Sequence, residues 1–138
     1  MATATATKTQ AQWKAVLLEA QAAGQKAAMA AKPTPMIVYE AQGLSDIPKP
    51  GGKHWVVPGG VCGFAWVTIR PATGGFVKLL KELGIGWKGY YGGWCVPMHP
   101  QVEGPLVQSL EIKRAYAGAY ARVLREAGIK CDVETRLD

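Results

Sequence analysis

The second half of the chain alternates short apolar runs with longer amphipathic ones. Val61-Cys62-Gly63-Phe64-Ala65-Trp66-Val67-Thr68-Ile69-Arg70 has the content of a strand, and Gly75 to Leu83 that of a short helix. Trp94 to Met98 predicts a second strand, Leu106 to Ala127 a long helix, and Ile129 to Thr135 a last strand. This βαβαβ order predicts an α+β fold, a small mixed β-sheet with two packed helices. In the long helix, Leu106, Leu110, Ala117, Ala121 and Leu124 share one side at about 100° per residue. Ile112, Tyr116, Ala119, Tyr120, Val123 and Ala127 widen that arc past half the circumference. An apolar arc so wide predicts cover on two sides, from the sheet and from something else. The narrow polar strip carries Glu111, Arg114, Gly118, Arg122, Arg125 and Glu126. Gly118 costs roughly 1 kcal/mol relative to Ala in a helix, so a close approach of another backbone is expected there.

Residues 10–31 also follow a helical pattern, with the large apolar residues Trp13, Val16, Leu17 and Leu18 first. Beyond them Ala20, Gly24, Ala27, Ala28 and Ala31 continue the stripe, with Met29 beside it. Such a face buries little area and permits close approach. It fits a helix lying on its own domain, or an arm docking on a partner through Trp13 and Leu17. Taken as an N-terminal helical arm, it divides the chain into a tail and arm, 1–35, and a single globular domain, 36–138. Lys32-Pro33-Thr34-Pro35 ends the helix. Met36–Tyr39 and His54–Val57 are expected to be short strands, separated by a loop from Gly43 to Lys53 that contains Pro48, Pro50, Gly51 and Gly52. The Ala/Thr-alternating stretch 1–9 has nothing to build a core from.

Composition narrows the class. A chain of 138 residues, 49% of them apolar, is one domain's worth and should fold. No apolar run approaches the ~20 residues that span a bilayer. The first residues lack the charged-then-apolar order of a secretory signal, so an intracellular protein without a membrane partner is expected. The net charge of +6 favours polyanions or acidic protein surfaces, although no run of five basic residues occurs. Cys62, Cys95 and Cys131 are odd in number and far apart, as reduced core thiols would be. Cys95-x-x-x-His99 has a permissible zinc spacing but lacks a second close pair, so neither a metal nor a cofactor is expected.

Gly84-Ile85-Gly86-Trp87-Lys88-Gly89 matches a dinucleotide fingerprint letter for letter. That fingerprint works between a strand and a following helix, whereas this run follows a helix and leads into a strand. Gly84 is better explained as a helix C-cap. The acidic residues Glu82, Glu103, Glu111, Glu126, Asp132, Glu134 and Asp138 are scattered, as solvated ion pairs would be, and no nucleophile elbow is present. No enzyme is expected. Trp87, Lys88, Tyr90, Tyr91 and Trp94 fall within eight residues among glycines. If exposed, such rings could stack on bases while cations meet phosphates; otherwise they fill the core or touch a protein.

Five segments carry a resemblance. Cys62-Gly63-Phe64-Ala65-Trp66-Val67-x-Ile69-x-Pro71 is followed by Lys88-x-Tyr90-Tyr91-Gly92-Gly93, then by Gln108-Ser109-x-Glu111-x-Lys113-x-Ala115-Tyr116-Ala117. With Val123-Leu124-Arg125-x-Ala127-Gly128-Ile129 and Arg136-Leu137-Asp138, roughly residues 36–138 resemble a family of small tailed-bacteriophage proteins to which no activity is assigned. The resemblance implies synthesis in the host cytoplasm, with the virion as a destination. The resulting expectation is a non-enzymatic interaction protein, an accessory or structural component of a phage particle. It would dock through Trp13 and Leu17, and through Trp87, Lys88, Tyr90, Tyr91, Arg114, Arg122 and Arg125. Loss of residues 1–31 would then leave a folded monomer unable to assemble. The partner would be another virion protein or a host protein, with homo-oligomers also admissible. The alternative is a basic, sequence-tolerant nucleic-acid-binding protein.

Overall fold

The computed structural model describes residues 8–138, so the Ala/Thr stretch 1–7 lies outside the described residues. Thr9 caps the first helix, α1 (Gln10–Ala30), reciprocally. Its hydroxyl accepts from the Gln12 N–H at 3.2 Å, and its own N–H donates to the Gln12 side chain at 2.7 Å. An antiparallel ribbon follows, β1 (Met36–Tyr39) on β2 (His54–Val57). The rest of the chain runs β3 (Gly63–Ile69), α2 (Gly75–Glu82), β4 (Trp87–Lys88), β5 (Trp94–Pro97), α3 (Leu110–Glu126) and β6 (Cys131–Leu137).

These strands form one sheet in the order β4-β5-β3-β6, with every neighbouring pair antiparallel. The fold is α+β as expected, but the sheet is antiparallel rather than mixed. Each helix returns the chain to a strand one place removed: α2 joins β3 to β4 across β5, and α3 joins β5 to β6 across β3. That is the βαββαβ, or split βαβ, arrangement of ferredoxin-like folds.

Local chemistry sets the boundaries. Gly84, at φ +71°, ends α2: its N–H donates to the Lys81 carbonyl and the Ile85 N–H to the Leu80 carbonyl, a Schellman closure. The predicted long helix begins at Leu110 rather than Leu106. Leu110 N–H donates to the Val61 carbonyl and Ser109 bridges Cys62, holding the chain extended at Ser109. Gly104–Gln108 is a separate 3₁₀ turn, and the Ser109 hydroxyl caps α3 by accepting from the Ile112 N–H.

The apolar face of the sheet, with Ala65, Val67, Ile69 and Val96, packs under α2 and α3. The second cover that the wide arc of α3 demanded is α1. Val16, Leu17, Ala20 and Ala28 join the same core, and Leu17 is 4% exposed. The small-residue stripe works by admitting Tyr116: a Cβ on Gly24 would stand 2.8 Å from that ring. Trp13 packs edge-on against Phe76, with ring centroids 5.8 Å apart. The docking role expected of Trp13 and Leu17 is therefore corrected: α1 lies along the domain, and these two side chains hold it there. Gly118 differs too, since a Cβ there would meet nothing within 4 Å. Among the described residues no helix is long and apolar enough to cross a membrane.

Candidate binding face on the open side of the sheet

In β3 the residues alternate between the helices and the other face. Phe64, Trp66, Thr68 and Arg70 point away from the core, and their cross-strand partners share that face. Trp66 stands opposite Glu134 and Pro97, Thr68 opposite Asp132 and Cys95, and Trp87 opposite Cys95. No described helix covers this side. It forms a groove of about 570 Å³ lined by Phe64, Trp66, Trp87, Tyr90 and Tyr91, with Arg70, Lys113, Arg136 and Glu134 among them.

The hairpin between β4 and β5 builds one wall. Gly92 N–H donates to the Gly89 carbonyl at 3.1 Å, and Gly89 N–H to the Gly93 carbonyl at 2.9 Å. Gly92, at φ +88°, takes the left-handed position that such a bulged turn requires. Gly93 lets the hairpin lie close to the sheet, because a Cβ there would stand 2.7 Å from the Thr68 methyl. Tyr90 and Tyr91 occupy the tip, 93% and 87% exposed, with their rings edge to face at 4.8 Å. Trp87 is 45% exposed. Rings this bare on a folded protein are available for contact.

Electrostatics favour an anion. Arg70, Lys113 and Arg136 supply three cations to the groove and Glu134 the one carboxylate among its lining residues. Phe64 is flanked by Lys113 Nζ at 4.9 Å and the Arg136 guanidinium at 5.4 Å from its ring centre. Lys113 also donates to the Gly63 carbonyl at 2.8 Å, which fixes it at the groove's edge. Glu134 accepts from the Trp66 indole N–H at 2.7 Å and the Thr68 hydroxyl at 2.9 Å, with Arg70 at 3.5 Å. Burial pushes its pKa up, but the Thr68 and Trp66 hydrogen bonds and the Arg70 charge outweigh that and leave it below the usual value. Glu134 is thus an ionised anchor for Trp66, with its charge already met from within.

The expected site residues separate. Trp87, Tyr90 and Tyr91 come together in the groove. Lys88 pairs with Trp94, on the opposite face of the sheet from Trp87. Trp94 turns inward, its indole N–H donating to the Ile85 carbonyl at 2.9 Å. Arg114, Arg122 and Arg125 are exposed on α3, across the sheet from the groove. Arg125 is further committed to the Cys131 carbonyl, at 3.1 and 2.9 Å. Sequence reasoning missed Phe64, Trp66, Arg70, Lys113, Glu134 and Arg136. Period-two alternation in β3 was the signal available for Phe64, Trp66 and Arg70.

Cys95 and Cys131 are buried, Cys62 is half-buried, and all three are free thiols. Among the described residues no three His, Cys, Asp or Glu gather as metal ligands would. Fold and face together describe a βαββαβ protein with one side of its sheet left aromatic and cationic. In comparisons with protein-family models, curated proteins and solved structures, nothing matches the chain.

Proposed function

We propose that the protein is a non-enzymatic binding module whose open sheet face takes single-stranded nucleic acid without strong sequence preference. The observation that carries this reading is the juxtaposition of Trp66, Trp87 and Tyr91 with Arg70, Lys113 and Arg136 around one groove. Unpaired bases have faces to stack on such rings, at about 1–3 kcal/mol per base, while phosphates meet the cations. A duplex hides those base faces, so single strands are favoured. A cationic ligand is disfavoured, because Arg70, Lys113 and Arg136 outnumber Glu134, the one carboxylate among the groove's lining residues, and that carboxylate is engaged.

The test is a fluorescence titration of a labelled oligothymidylate at several salt concentrations. Three phosphate contacts on a single strand predict a slope of log affinity against log salt of about −2. Tyr91→Ala and Trp87→Ala should each weaken binding about tenfold or more, the loss of one stacked base. Absent binding at low salt, or binding indifferent to salt, contradicts the proposal.

A second reading retains a protein partner. On the β1–β2 ribbon, Ile37, Trp55 and Val56 are exposed, as are Leu44 and Ile47 on the loop between its strands. An accessory component of a phage particle, as the resemblance suggests, would use this ribbon rather than Trp13 and Leu17. Mass spectrometry of purified particles tests it, and absence of the protein from them removes this reading.

A further inference from the structure

β6 is an edge strand. It pairs with β3 along one side and with nothing along the other among the described residues. Arg70 N–H donates to the Lys130 carbonyl and Asp138 N–H to the Cys62 carbonyl, which sets the phase of the ladder. In that phase Asp132, Glu134 and Arg136 turn their backbone groups toward β3, and Val133, Thr135 and Leu137 turn theirs outward. An open edge of this kind is a template for another strand, and proteins usually blunt it with proline, a bulge or unpaired charge. β6 has no proline, and its register with β3 runs without interruption over all seven residues. Its charges alternate instead: Lys130, Asp132, Glu134, Arg136, Asp138.

That order is self-complementary. We infer that β6 pairs antiparallel with β6 of a second copy of this chain, about a two-fold axis at Glu134. Val133 of one copy and Thr135 of the other then exchange the outward hydrogen bonds. Asp132 faces Arg136 within the paired stretch, and Lys130 comes opposite Asp138 just beyond its ends, each twice by symmetry. Only Glu134 meets its own kind, and its carboxylate is drawn onto Trp66, Thr68 and Arg70 of its own chain. Centring the axis on Val133 would set Asp132 against Glu134, and centring it on Thr135 would set Asp132 against Asp138. A slip of one residue would oppose inward-facing groups to outward-facing ones. Asp132 is free enough for this use: it is 73% exposed, and its own-chain contacts to Arg70 and Arg125 are long, 4.0 and 3.9 Å. The Arg125 guanidinium, already on the Cys131 carbonyl, marks one end of the paired stretch. The result is an eight-stranded sheet with two open faces side by side, whatever those faces bind.

Sedimentation equilibrium of the full chain at micromolar concentration tests the inference, with far-UV circular dichroism as the check on folding. The wild type is expected at twice the chain mass. Asp132→Arg or Arg136→Asp opposes like charges and should give the single-chain mass, while the two together should restore the doubled mass. Thr135→Pro removes an outward N–H that the chain's own ladder does not use, and should give a folded monomer. A monomeric wild type overturns the inference. So does a dimer that survives Asp132→Arg and Thr135→Pro, which would place the contact elsewhere, or a charge-swapped double variant that stays monomeric.

Discussion

Glu134 shows how much one side chain's surroundings decide. In the sequence it is one of several scattered carboxylates beside basic residues, with nothing to mark it. In the fold it stands opposite Trp66 and fixes that indole in the groove. Because its folded pKa is depressed, the stability it contributes is fully present above its ordinary value near 4.5 and is lost as pH falls through the lower folded value. The melting-temperature gap between wild type and Glu134→Gln should therefore be steady at neutral pH and narrow in acid. A gap that widens in acid contradicts the assignment. Leu17 and Gly24 are the corresponding residues for packing. Leu17→Ala should cost about 2–5 kcal/mol by chemical denaturation, since the side chain is buried between helices. Gly24→Val should cost about 1–3 kcal/mol, because the added atoms meet the Tyr116 ring.

At the scale of elements, α1 shows how a thin apolar stripe can still hold a helix to its domain. Its alanines and one glycine bury little area of their own. What the stripe provides is closeness, and Tyr116 of α3 supplies the bulk. Deleting residues 1–31 should therefore expose the outer face of α3 and give a chain with lost near-UV dichroism, not the folded monomer the arm reading expects. A cooperative, native-like melt of the truncated chain contradicts this. The helices, β3, β5 and β6 were legible from periodicity and from glycine at the caps. β4 was not, since two residues inside a glycine-rich run have no period to detect, yet β4 turns βαβαβ into βαββαβ. The false start of α3 at Leu106 has a similar origin. The contacts of Ser109 and Leu110 with Val61 and Cys62 are tertiary, and local pattern does not carry them.

For the whole molecule, the net charge of +6 and the aromatic cluster were visible in the chain, but not which of those residues share a face. The sheet decides that: it separates Trp87 from Lys88 and places the α3 arginines across from the groove. It also gathers Phe64, Trp66, Lys113 and Arg136 from segments that sequence alone leaves apart. The five tryptophans now sit in distinct places. Trp66 and Trp87 line the groove, Trp13 and Trp94 pack against the core, and Trp55 lies on the ribbon. The indole N–H resonances in a ¹⁵N spectrum therefore read the binding face directly during titration with a short single-stranded oligonucleotide. The signals of Trp66 and Trp87 should move together and saturably, while those of Trp13, Trp94 and Trp55 stay still. Movement of Trp55 with Trp66 and Trp87 unmoved, or no movement at all, would contradict the open sheet face as the binding surface.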